Sequence, residues 1–181
     1  MLFGLIVFAA IVLSVFGLTA TYNALVAASA RTTRAWNELD ALLRQRHDEI
    51  PKLIEMCEPR LENQRAVFDR VLEARAAILG ARQTRSADAL GAAERELRAA
   101  LTALIAAAAH APELASSPAF GLLRQRNTTL DDEIADRRDR YNQAVHDYNE
   151  AIRRVPSNIV ALLGGFRALR PLEVEAAADA P

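Results

Sequence analysis

Charge is missing from the head of this chain: Met1 to Ala30 contains no Lys, Arg, Asp or Glu, so every formal charge of the 181 residues lies beyond it. Net charge is nearly missing too, at -1, which predicts no strong attraction to nucleic acid. Cysteine is reduced to Cys57, so no intramolecular disulfide can form. Aromatic residues make up 6% and there are 7 glycines and 7 prolines, while Ala and Leu abound, which disfavours sheet and favours helix. His47, His110 and His146 form no His-x-x-x-His or Glu-x-x-His pair, so a helical metal site is not expected. No Gly-rich phosphate loop, nucleophile elbow or zinc signature occurs either, and no catalytic constellation can be named. The expectation is a protein that is not an enzyme and carries no cofactor.

What is present begins with Leu2 to Ala20, LFGLIVFAAIVLSVFGLTA. Its length matches the ~20 residues a helix needs to cross a ~30 Å hydrocarbon core. The run exceeds a usual leader's apolar region and lacks a basic segment before it, which predicts an uncleaved anchor over residues 1–21. Arg31, Arg34, Arg44 and Arg46 follow it and nothing basic precedes it, so the positive-inside rule puts the N-terminus outside and the body in the cytoplasm.

The body, residues 22–170, reads as four amphipathic helices. Leu25, Thr32, Trp36, Leu39 and Leu43 form a first stripe at helical spacing, with a turn expected at Pro51. Ile54, Cys57, Leu61, Phe68, Leu72 and Leu79 form a second, bent at Pro59 and ended by Gly80. Leu90, Leu97, Leu101, Leu104 and Ala108 mark a third, cut off by Pro112 and Pro118. Leu123, Leu130, Ile134, Tyr141, Val145, Tyr148, Ile152 and Val155 mark a fourth, stopped by Pro156. Short connectors between four stripes predict an all-α, up-and-down antiparallel four-helix bundle. The heptad-like faces suit coiled-coil packing within one chain or between chains alike. Ser157 is expected to cap a short apolar helix, Ile159 to Leu163, and the small, acidic stretch 171–181 to be disordered. Cys57, on an apolar stripe without a helper base, reads as a small hydrophobe rather than a nucleophile.

Tyr141-Asn142 and Tyr148-Asn149 repeat one heptad apart, which places both tyrosines on one face, and Tyr22-Asn23 opens the segment after the apolar run. With AWNELDALLRQRHDEIPKL and Glu73-Ala74-Arg75 in the same order, the chain from Tyr22 to about Phe166 resembles the LemA family of bacterial membrane proteins. The resemblance implies an N-terminal transmembrane segment, an antiparallel four-helix bundle and no established enzymatic activity; the anchor is expected to sit in a bacterial inner membrane. The chain departs from the family pattern at Glu49 and Lys52, beside Pro51, and at Cys57-Glu58-Pro59.

Two candidate sites follow. Tyr22, Asn23, Tyr141, Asn142, Tyr148 and Asn149 are expected to bond across helices and fix register, or to offer a polar strip to an unidentified protein partner. In an up-and-down bundle, Arg82, Arg85, Arg153, Arg154, Arg167 and Arg170 fall at the membrane-proximal end as a basic collar for the lipid bilayer. Leu162, Leu163 and Phe166 would there dip into the interface. The opposite end, around Arg44 to Pro51 and His110 to Phe120, is the expected surface for protein partners.

Overall fold

The computed structural model describes residues 2–61, 64–84 and 87–172, and among these all regular structure is helical, with no strand. The elements are α1 (Leu2–Cys57), a 3-10 turn (Glu58–Arg60), α2 (Arg65–Thr84), α3 (Ala87–Ala109), α4 (Pro112–Ala115), α5 (Pro118–Arg153) and α6 (Ser157–Leu163). They divide into two compact units: residues 1–37 with 140–171, and residues 38–139 with the segment from Leu172. α1 and α5 each contribute to both.

α1 runs for 56 residues straight through Pro51, where a turn was expected. Proline withholds one N–H from the helical ladder. Its neighbours Ile50 and Leu53 are both buried while Pro51 itself is exposed, so apolar packing carries the helix across the gap. The break falls at Pro59 instead, in the 3-10 turn, where Arg60 Nη1 donates to the Met56 carbonyl at 3.1 Å and satisfies one of the orphan groups at the end of α1.

In the first unit, Leu25, Ala28 and Thr32 of α1, Val145 and Tyr148 of α5, and Val160 and Ala161 of α6 are buried. Leu2 to Ala20 contributes nothing to that core: each of its residues is exposed, leaving bare an apolar helix long enough to cross a membrane. The hydroxyls inside or bordering this run are satisfied locally, with Ser14, Thr19 and Thr21 each donating to the carbonyl four residues back at 2.8 Å.

The second unit draws its core from Leu39, Leu43, Ile50, Leu53 and Cys57 of α1, Phe68, Val71 and Ile78 of α2, Leu90, Leu97, Leu101 and Leu104 of α3, Leu114 of α4, and Phe120, Leu130 and Ile134 of α5. The α3 stripe is as its sequence predicts. The α2 stripe is rotated by one position: Leu72 and Leu79 are 47% and 44% exposed, and Val71, Ala74 and Ile78 are buried in their place. Gly80 does not end α2, which continues to Thr84, so Arg82 lies inside the helix rather than in a connector. Pro118 opens α5, with Ser117 before it accepting the Phe120 N–H on Oγ at 3.4 Å. α6 lacks the expected Ser157 cap, since Ser157 is its first helical residue and no side chain bonds at its N-cap position, Pro156. Of the stretch expected to be disordered, Pro171 and Leu172 are described and Leu172 is buried; residues 173–181 lie outside the described residues.

One polar cluster is buried in the second unit. Arg46 is 1% exposed, and its guanidinium meets Glu94 of α3 on Nη2 and Asp131 of α5 at 2.7 Å on Nη1. Burial pulls the Arg46 pKa down, opposed first by the charge of Asp131. Such a triad does little for net stability compared with a packed apolar core, but losing one member strands the others. It ties α1, α3 and α5 at one level. Asp40 receives both Arg44 and Arg82, the latter at 2.8 Å.

Candidate functional site

The tyrosine and asparagine pairs of α5 meet an extended segment of the same chain. After α6, the backbone turns at Gly164-Gly165. Gly165 has φ +71°, a conformation open to glycine, and a Cβ on Gly164 would strike the Phe166 ring at 2.7 Å. Residues 166–171 then form a strap without regular structure in the first unit.

Three kinds of contact hold it. The Tyr148 hydroxyl donates to the Arg167 carbonyl at 3.0 Å, and the Tyr141 hydroxyl to the Arg170 carbonyl at 3.4 Å. Between them, the Asn149 carboxamide pairs with both backbone groups of Leu169: Nδ2 donates to the carbonyl at 2.8 Å and the Leu169 N–H donates to Oδ1 at 3.0 Å. The Tyr22 ring packs edge-on to Phe166 at 5.7 Å, and the Trp36 indole packs edge-on to Tyr141 at 5.4 Å. The chain's three tyrosines thus touch the strap at 166, 167 and 170. Burial pushes the phenols of Tyr141 and Tyr148 above their ordinary pKa, so both remain neutral donors at physiological pH.

Expectation placed these hydroxyls and amides between helices. Those of Tyr141, Tyr148 and Asn149 serve the strap's main chain instead, at the carbonyls of Arg167, Leu169 and Arg170 and the N–H of Leu169. Asn142 is partly buried on the same helix, and Asn23 is exposed on α1.

The structure describes five of the six arginines of the expected collar. Arg153, Arg154, Arg167 and Arg170 belong to the first unit; Arg82 belongs to the second, held by Asp40; Arg85 lies outside the described residues. The Arg44 to Pro51 segment is interior α1 helix rather than a helix end. Where α1 ends, Arg60 meets Glu113 of α4 at 3.5 Å.

A sequence model of the LemA family matches residues 35–181, most of the chain. The chain belongs to the LemA family. No match was found among curated proteins. The LemA match takes in Trp36, Tyr141, Tyr148, Asn149 and the strap, so the clamp lies inside the family region; Tyr22, Asn23 and the apolar run precede it.

The Arg46 cluster was missed from sequence, where Arg46 counted only as a flanking positive charge. A signal existed: Leu39, Leu43, Arg46, Ile50, Leu53 and Cys57 recur in steps of four and three, which sets a guanidinium on an apolar stripe. Cys57 is free and buried, and burial pushes its thiol up to about 11, so at neutral pH it is a thiol rather than a nucleophilic thiolate. Among the described residues, no group of three His, Cys, Asp or Glu side chains is placed to hold a metal.

Proposed function

We propose that this LemA-family chain is a single-pass, non-enzymatic membrane module in which Leu2 to Ala20 is the anchor and the remainder is a helical body for protein interaction. The observation that carries the reading is the apolar run itself: uncharged, helical and wholly exposed, it is a surface that water opposes and lipid accepts. In the same reading the four long helical segments of the body pack up-and-down and antiparallel, supported by the short connectors between them and by the ion cluster that binds α1, α3 and α5. Arg31 and Arg34, the first charged residues after the run, favour a cytoplasmic body at a bacterial inner membrane with the N-terminus outside.

The partner surface of this reading is the region of the Arg60–Glu113 contact, from Glu58 to Leu61 and His110 to Phe120. Alkaline carbonate extraction tests the anchor: the chain stays in the membrane pellet, and release into the supernatant would overturn the reading. Photocrosslinkers at Glu58 and Glu113 in intact membranes test the surface, with discrete protein adducts expected at both. A second reading, a lipid-interacting protein that senses the membrane surface, draws support from the four arginines of the first unit. Lipid adducts alone would favour it.

A further inference from the structure

We propose that α6 is an interfacial helix whose outward face inserts into the bilayer that α1 spans. The inference rests on the anchoring of Leu2 to Ala20. One side of α6 is accounted for: Val160 and Ala161 are buried against Leu25 of α1, with Ala151, Ile152 and Phe166 packed around them. The other side is not. Ile159, Leu162 and Leu163 are 55%, 81% and 83% exposed, and Val155, just before α6, is 78% exposed. Residues 159, 162 and 163 stand at i, i+3 and i+4, on one face of the helix.

Their level relative to the anchor identifies what covers them. Leu25, on which α6 sits, lies five residues beyond Ala20, about 7.5 Å along the helix axis. Tyr22, two residues beyond Ala20, meets Phe166 directly. α6 is therefore held beside the point where the apolar run ends, at the level of the headgroup layer, which adds roughly 5–7 Å to each side of the ~30 Å hydrocarbon core and is where interfacial helices lie. Tyrosine is enriched at that level for the same reason, since its ring is apolar and its hydroxyl is wet.

Charge agrees with lipid as the occupant. Residues 153–170 contain Arg153, Arg154, Arg167 and Arg170 and no Asp or Glu, giving this segment a formal charge of +4 beside the exposed aliphatic face. Aliphatic side chains bordered by arginine suit the boundary between acyl chains and anionic headgroups. The Gly164-Gly165 turn sends the chain back against Tyr22 through Phe166, which keeps α6 at this level and directs the strap onto α5.

The test uses the full chain in nanodiscs containing anionic lipid, in a Cys57→Ala background, with an environment-sensitive fluorophore on Leu162→Cys or Leu163→Cys and, separately, on Ala9→Cys. Quenching by lipids carrying a shallow or a deep nitroxide, and by aqueous iodide, reads the depth of each label. The labels at 162 and 163 are expected to be quenched several-fold more by shallow nitroxide lipid than by iodide, and the label at 9 by deep nitroxide lipid. If the label at 9 is deep while those at 162 and 163 are quenched by iodide alone, the inference falls and the anchor stands. Labels at 162 and 163 shielded from both quenchers would mean that protein covers the face, which also overturns it. A label at 9 open to iodide would remove the anchor and the inference together.

Discussion

Asn149→Ala removes both hydrogen bonds between the α5 clamp and Leu169, at 2.8 and 3.0 Å, while leaving the hydroxyl bonds of Tyr141 and Tyr148 in place. Each such bond contributes about 0.5–1.5 kcal/mol net, and solvent access at this position argues for the lower half of that range. The pair is then worth about 1–2 kcal/mol, which at 1.36 kcal/mol per decade corresponds to a roughly 5- to 30-fold rise in the population of released strap. The Leu169 amide reports this directly, because its N–H is the donor to Asn149 Oδ1. Native-state hydrogen exchange of the full chain in detergent micelles should show its protection falling by that factor. Trp36, the chain's single tryptophan, packs on Tyr141 and provides a fluorescence readout of the same release. Gln143→Ala, which breaks only an exposed pairing with Asp147 at 2.8 Å, serves as the control and should leave Leu169 unchanged. Unaltered Leu169 protection in Asn149→Ala would refute the clamp.

Arg46→Met leaves Glu94 buried without its cation and should destabilise the second unit by about 3–5 kcal/mol in urea titration, with the triple variant that also carries Glu94→Leu and Asp131→Leu recovering most of the loss. Cys57 should resist a water-soluble disulfide reagent at pH 8 in the folded chain and react fully in denaturant, because its thiol is buried and pushed up to about 11. His47 is held below its ordinary pKa, first by burial and then by the charge of Arg75. As pH falls through about 6.5 the unfolded chain takes up this proton before the folded one, so the His47 contribution to stability is present above that value and declines as pH falls through the lowered folded value. Thermal unfolding between pH 7.5 and 5 should show this decline, and His47→Gln should reduce the slope.

The helical class was legible in composition, the apolar head in an uninterrupted uncharged run of spanning length, and the core stripe of α3 in its helical period. Pro51 and Pro59 were not distinguishable by local rules. Both disrupt a helix, and what separates them is the residue immediately before each: Ile50 before Pro51 is buried, whereas Glu58 before Pro59 is exposed. The α2 stripe was misphased because a step from Phe68 to Val71 and a step from Phe68 to Leu72 are equally helical; only the facing helix chooses. Half of the clamp was visible, since two tyrosine and asparagine pairs one heptad apart are conspicuous. Its ligand was not, because the accepting groups at 167, 169 and 170 are backbone atoms in a stretch without periodicity. Arg82 was read as a connector residue because the end of α2 was assigned to Gly80; it lies in the last turn of the helix instead, paired with Asp40.

Because the clamp grips amide groups that every residue type carries, it places almost no demand on the letters it grips. Arg167, Ala168 and Leu169 all have exposed side chains, so these positions can be rewritten widely with attachment intact. Position 169 carries one prohibition: proline there has no hydrogen to give Asn149, and that single replacement would undo from the strap's side what Asn149→Ala undoes from the helix.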